Sequence, residues 1–133
     1  MKKTARKLMC LALVMLLVAT MAVPAMAVRG TCYGYTYNYT VTREETKGTA
    51  YIYIEGSPTF VSAHVKNKVY NALNEMWGYP ASGTERTTSY SSVTVTAGNV
   101  FVVNDIKLDG PIHETIGNLW VQDKQVGVNV YAD

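Results

Sequence analysis

From Tyr33 to Val41 every second residue is a tyrosine or valine, with Gly34, Thr36, Asn38 and Thr40 between them. A period of two predicts a β-strand. The charged turn Arg43–Gly48 follows, then a second alternating run, Thr49–Glu55. Ala50, Ile52 and Ile54 share one of its faces and Tyr51 and Tyr53 the other. Gly56-Ser57-Pro58 closes that strand. Further on, Ser89–Ala97 alternates through Val93 and Val95, and Gly98-Asn99 turns the chain. Val100–Leu108 is strongly apolar and predicts a central strand, ended by Asp109-Gly110-Pro111. Ile112–Ile116 and Leu119–Gln122 are short strands separated by Gly117-Asn118. Asp123-Lys124 makes a tight turn into the last strand, Gln125–Tyr131.

The segment from Phe60 to Trp77 fits two periods. Val61, Ala63, Val65, Val69 and Leu73 stand at strand parity, whereas Ala72, Leu73, Glu75 and Met76 favour a helix. The expectation is a strand from about Thr59 to Tyr70, with a short helix left open near 69–77. Tyr79–Thr84 is expected to be an exposed loop, the longest irregular stretch.

Composition supports the strand reading. After residue 27 there are 14 Val, 13 Thr, 10 Tyr and 5 Ile, against 3 Leu, 6 Ala and 1 Met. β-Branched and aromatic side chains lose rotamer freedom in helices and pack well on a pleated surface. Residues 28–133 have the length of one domain. The expected fold is a small all-β, single-domain antiparallel β-sandwich of about six to eight strands.

Residues 1–27 have the parts of a cleaved secretory signal peptide. Lys2, Lys3, Arg6 and Lys7 form a cationic start, Leu8–Val23 is an apolar run of 16 residues, and Ala25-Met26-Ala27 is a small–x–small cleavage pattern after Pro24. A spanning helix needs roughly 20 apolar residues, so cleavage near Ala27 and a secreted, extracellular location are expected, with no membrane attachment afterwards. The leader has a bacterial character, which gives the glycosylation sequon at Asn38 little weight. Charge changes sign with the leader. The whole chain is +2, but residues 28–133 hold eight basic and ten acidic residues and carry −2. Affinity for nucleic acid is therefore not expected.

Candidate chemistry is sparse. There is no phosphate loop, no G-x-S-x-G and no basic stripe for nucleic acid. His64 and His113 lie far apart without ligands at metal spacing, so neither a metal nor a cofactor is expected. Cys10 leaves with the leader, and Cys32 is then alone. It is expected to be a buried small hydrophobe, the alternative being a homodimer through Cys32. The surplus tyrosines are the most unusual feature. If the first two strands pair Tyr39 with Ile52 and Tyr37 with Ile54, the tyrosines face the core. If Tyr39 meets Tyr51 and Tyr37 meets Tyr53, a tyrosine ladder forms that could stack sugars or hold a partner. The first register gives each strand one apolar face and is favoured. Trp120, beside Leu119 and Val121, is assigned to the core; Trp77, before Gly78-Tyr79-Pro80, is the exposed aromatic.

The candidate binding residues are therefore Tyr33, Tyr35, Tyr37, Tyr39, Tyr51, Tyr53, Trp77 and Tyr79, with no catalytic residue assigned. The expected function is that of an exported non-enzymatic β-domain binding an extracellular or cell-envelope glycan or protein. The alternative is a self-associating structural or secreted effector protein that uses open sheet edges. A small hydrolase ranks third and would need two facing carboxylates from among Glu55, Glu75, Asp105, Asp109 and Glu114.

Overall fold

The computed structural model describes residues 27–88 and 91–132. The expected signal peptide, apart from Ala27, lies outside these residues, as do Ser89 and Tyr90 of the strand expected from Ser89. The described residues form eleven strands and no helix: β1 Val28–Cys32, β2 Tyr35–Arg43, β3 Gly48–Glu55, β4 Val61–Asn71, β5 Met76–Gly78, β6 Gly83–Thr87, β7 Ser92–Ala97, β8 Val100–Val103, β9 Ile106–Asp109, β10 Ile112–Val121 and β11 Lys124–Tyr131. All pairings are antiparallel. One sheet has the order β1-β2-β3-β7. The second has the order β11-β10-β4-β5, with β6 also paired to β4, and β8-β9 form a separate hairpin.

Alternation decides what lies between the two sheets. Tyr39 and Val41 of β2, Ala50, Ile52 and Ile54 of β3, and Val93, Val95 and Ala97 of β7 face Val61, Ala63 and Val65 of β4 and Leu119 and Val121 of β10. Burying each of the valines, isoleucines and the leucine contributes roughly 1.5–3 kcal/mol. A smaller cluster of Val69, Phe101 and Ile112 lies where the β8–β9 hairpin packs on the end of the second sheet. Between the clusters, on the same inner face of β4, sits the buried polar side chain of Asn67.

Several expectations are corrected. The run Val100–Leu108 is no central strand. Asn104 and Asp105 both take positive φ, 50° and 65°, and fold it back into the hairpin β8–β9. Two central residues with φ > 0 define the tight hairpin turn whose twist matches the strands it joins. Phe101 turns inward, while Val100, Val102 and Ile106 are exposed. The first alternating run also begins with such a turn, because Tyr33 and Gly34 have φ of 52° and 78° and join β1 to β2. Near 69–77 there is no helix. Residues 72–75 form a turn, fixed by Asn71, whose Oδ1 accepts from the Asn74 backbone N–H at 2.8 Å. Strand parity prevails because the opposing sheet buries Val61, Ala63 and Val65 together. Ile112–Ile116 and Leu119–Val121 belong to one strand, β10. The last turn lies at Gln122-Asp123, with Lys124 already paired to Val121. The loop after Tyr79 gives way to β6 at Gly83.

Candidate functional site

The inner parity of β4 leaves Ser62, His64, Lys66, Lys68 and Tyr70 on the outer face of the second sheet. Neighbouring strands extend this face. Trp120, Ser62 and Arg86 stand in one cross-strand row, and Asn118, His64 and Thr84 in the next. Ile116 is opposite Lys66, Glu114 opposite Lys68, and Trp77 opposite Tyr70.

A β-bulge completes one end of the face. Ile112 pairs with Val69 and Glu114 with Lys68, so His113 is an extra residue in β10. A bulge leaves that residue unpaired and re-aims its side chain. The Arg43 guanidinium donates to the His113 carbonyl and holds the bulge from the first sheet. The His113 ring stands edge-on to Trp77, with centroids 5.0 Å apart and planes at 80°, and 6.2 Å from Tyr70. Tyr70 and Trp77 are 4.9 Å apart, and the Lys68 ammonium lies 4.6 Å from the centre of the Trp77 ring. Trp77 nevertheless remains 50% exposed. Tyr79 is 70% exposed and, with Lys66, Lys68, Glu114 and Ile116, lines a 240 Å³ depression beside this cluster.

At the other end lies an open cleft of 470 Å³, lined by Phe60, Ser62, His64, Arg86, Trp120 and Gln122 among others. The Arg86 guanidinium sits 3.6 Å from the centre of the Phe60 ring. The rim is stiff because Gln122, despite a φ of 54°, is held twice. Its backbone N–H donates to the Phe60 carbonyl at 2.9 Å, and its Oε1 accepts from the Thr59 N–H at 3.1 Å.

The tyrosine candidates separate. Tyr39 pairs with Ile52 and Tyr37 with Ile54, so the core-facing register forms and the tyrosine ladder does not. Tyr39 is 7% exposed, a core residue rather than a contact residue, and its phenol pKa is pushed up by burial and then by neighbouring Tyr37. Tyr35 and Tyr37 are half-buried against the same core. Tyr51 and Tyr53 point to the outer face of the first sheet, among Thr40, Asn38, Thr94 and Ser92. Tyr33 is exposed in its turn and donates to Asp123 Oδ1 at 2.5 Å, a bond to a carboxylate that raises its pKa. Of the eight candidates, only Trp77 and Tyr79 reach the outer face of the second sheet.

Sequence reasoning missed Tyr70, Trp120, Phe60, Lys66, Lys68, Arg86, His64 and His113. The expectation that Trp120 lies in the core is corrected: Leu119 and Val121 are the buried neighbours and Trp120 alternates outward. That alternation was a signal present in the sequence; the bulge at His113 was not.

Other chemistry finds less support. Cys32 is a free thiol, 5% exposed and packed in the main core. No group of three or more His, Cys, Asp or Glu among the described residues could hold a metal ion. Glu55, Glu75, Asp105 and Asp109 line neither of the two depressions nor the 480 Å³ one beside Glu44, Glu45 and His113. The chain matches no protein-family model, no curated protein and no solved structure.

Proposed function

We propose that the chain is an exported, non-enzymatic β-domain that binds an extracellular or cell-envelope glycan through the outer face of its second sheet. The observation that carries this reading is the Tyr70–Trp77–His113 cluster, with Lys68 beside it, standing half-open on a rigid sheet. An aromatic ring offers a flat apolar surface to a sugar ring, while the flanking polar groups can hydrogen-bond its hydroxyls. The leader-like residues 1–27 support export.

Retention of the protein cleaved after Ala27 on insoluble and immobilised envelope polysaccharides tests the proposal. Retention on at least one glycan is expected, and Trp77→Ala should weaken it by about tenfold or more in a protein that stays folded, its melting temperature lowered only by the lost contacts with Tyr70, His113 and Lys68. Absence of retention on every glycan, or retention indifferent to Trp77, overturns it.

A further inference from the structure

Eight cations follow the leader, and the fold sorts them. Arg29 lies 3.8 Å from Glu55, Lys47 lies 3.9 Å from Glu44, and Arg43 is bound to the His113 carbonyl. The other five have no ion pair among the described residues. Three of these, Lys66, Lys68 and Arg86, stand on the outer face of the second sheet. Two acids share this face, Glu114 opposite Lys68 and Asp123 at the rim of the 470 Å³ cleft, where it accepts the Tyr33 hydroxyl, so the three cations exceed the acids by one. A domain with a net charge of −2 thus places three cations that have no ion pair among the described residues on one sheet face, two on β4 and one on β6, with an aromatic group at each end.

We infer that this face takes an extended acidic polysaccharide laid along β4, from the Trp77 cluster to the Arg86–Phe60 cleft. The inference rests on the glycan-binding reading and specifies its substrate class. The row from Ser62 to Tyr70 runs about 26 Å at roughly 3.3 Å per residue, long enough for several sugar rings. Lys66 and Lys68 lie in its middle, where repeating carboxylates would pass. Lys68 stacks over one face of Trp77, which remains 50% exposed, and Arg86 over Phe60, so a cation able to meet a carboxylate stands at each end of the row with an aromatic ring beneath it. Charge complementarity also favours a narrow chain. A duplex nucleic acid would extend beyond this narrow row of three cations onto a net acidic domain and be repelled there. A single polysaccharide chain would touch the stripe alone.

The experiment compares binding of the protein cleaved after Ala27 to polygalacturonate and to the same polymer fully methyl-esterified, with a neutral glucan and single-stranded DNA as further arms. Binding to polygalacturonate that weakens with added salt and is lost on esterification is expected. Lys66→Gln and Lys68→Gln should each weaken it by about fivefold, the upper range for one exposed charge contact, while Lys107→Gln on the hairpin should not. Equal binding of the esterified polymer overturns the acidic-ligand inference and leaves glycan binding standing. DNA bound as tightly, with the same losses in the variants, overturns it in favour of a general polyanion surface. Failure to bind any polysaccharide overturns the parent reading as well.

Discussion

The Thr115 hydroxyl donates to Asn67 Oδ1 at 2.7 Å, and neither residue is more than 1% exposed. Asn67 Nδ2 in turn donates to the carbonyls of Ala97 and Gly98, at 2.8 and 2.9 Å. One amide therefore ties two strands of the second sheet to the end of β7 in the first. It satisfies its own buried polar atoms in doing so. Such a network stabilises when complete and is costly when broken, since a buried group left unpaired loses its water without replacement.

Thr115→Val keeps the shape and strips Asn67 Oδ1 of this donor. A loss of about 1–3 kcal/mol is expected in chemical denaturation. Asn67→Leu, which removes the acceptor of the Thr115 hydroxyl and a donor to each of two carbonyls at once, should cost more. A loss below about 0.5 kcal/mol for Thr115→Val would mean that the bond contributes nothing net.

Gly48 lies directly against this pair. A Cβ there would collide with Asn67 Oδ1 and with the Thr115 side chain at 2.7 Å. Gly48→Ala should therefore destabilise by about 1–3 kcal/mol, the range for overpacking a filled interior. In a Thr115→Ala background the added cost should fall, because the Cγ2 and Oγ1 atoms that the new Cβ would meet are gone. Additive losses would show that the two positions do not share the strain.

Phe101 is the anchor of the β8–β9 hairpin in the smaller core, alongside Val69 and Ile112. Phe101→Ala should cost about 3–5 kcal/mol and release the hairpin. Hydrogen exchange would then accelerate in Val100–Asp109 before the main sandwich. Uniform acceleration across all strands would show instead that the hairpin and sandwich unfold together.

The hairpin turn carries local strain that can be relieved. Asp105 holds a φ of 65° without being glycine. Asp105→Gly should raise stability by up to about 1 kcal/mol, since glycine enters that region freely and Asn-Gly is the preferred pair for this turn. A lower melting temperature would show that the Asp105 side chain contributes more than the strain it tolerates.

Alkaline pH should destabilise the protein through Tyr39. Burial and the adjacent Tyr37 raise its folded pKa, whereas in the unfolded chain a tyrosine ionises near pH 10. Above about pH 10 the unfolded state releases a proton that the folded state keeps, so stability present below that pH is lost as pH rises through the folded pKa. Tyr39→Phe should flatten this loss. Tyr33→Phe should also flatten it, since Tyr33 is raised through its bond to Asp123. Parallel alkaline profiles for the wild type and both variants would remove the linkage.

The sequence by itself determined the all-β character, the two-residue period of β2, β3 and β4, and which face of each strand is apolar. These follow from side-chain type and parity, which are local. It also indicated the pairing of Tyr39 with Ile52, because only that register turns both apolar faces the same way. Tertiary structure decided where the chain reverses and what the outer faces assemble. Val100–Leu108 reads as one strand until Asn104 and Asp105 adopt positive φ, a choice fixed by docking Phe101 beside Val69 and Ile112. Lys66, Arg86, Trp77 and His113 come from four different strands, β4, β6, β5 and β10. Cross-strand register brings the first three to one face, and a bulge held by Arg43 brings the fourth. Register and bulges depend on contacts between residues distant in the chain, so a site built from them cannot be seen in any one segment.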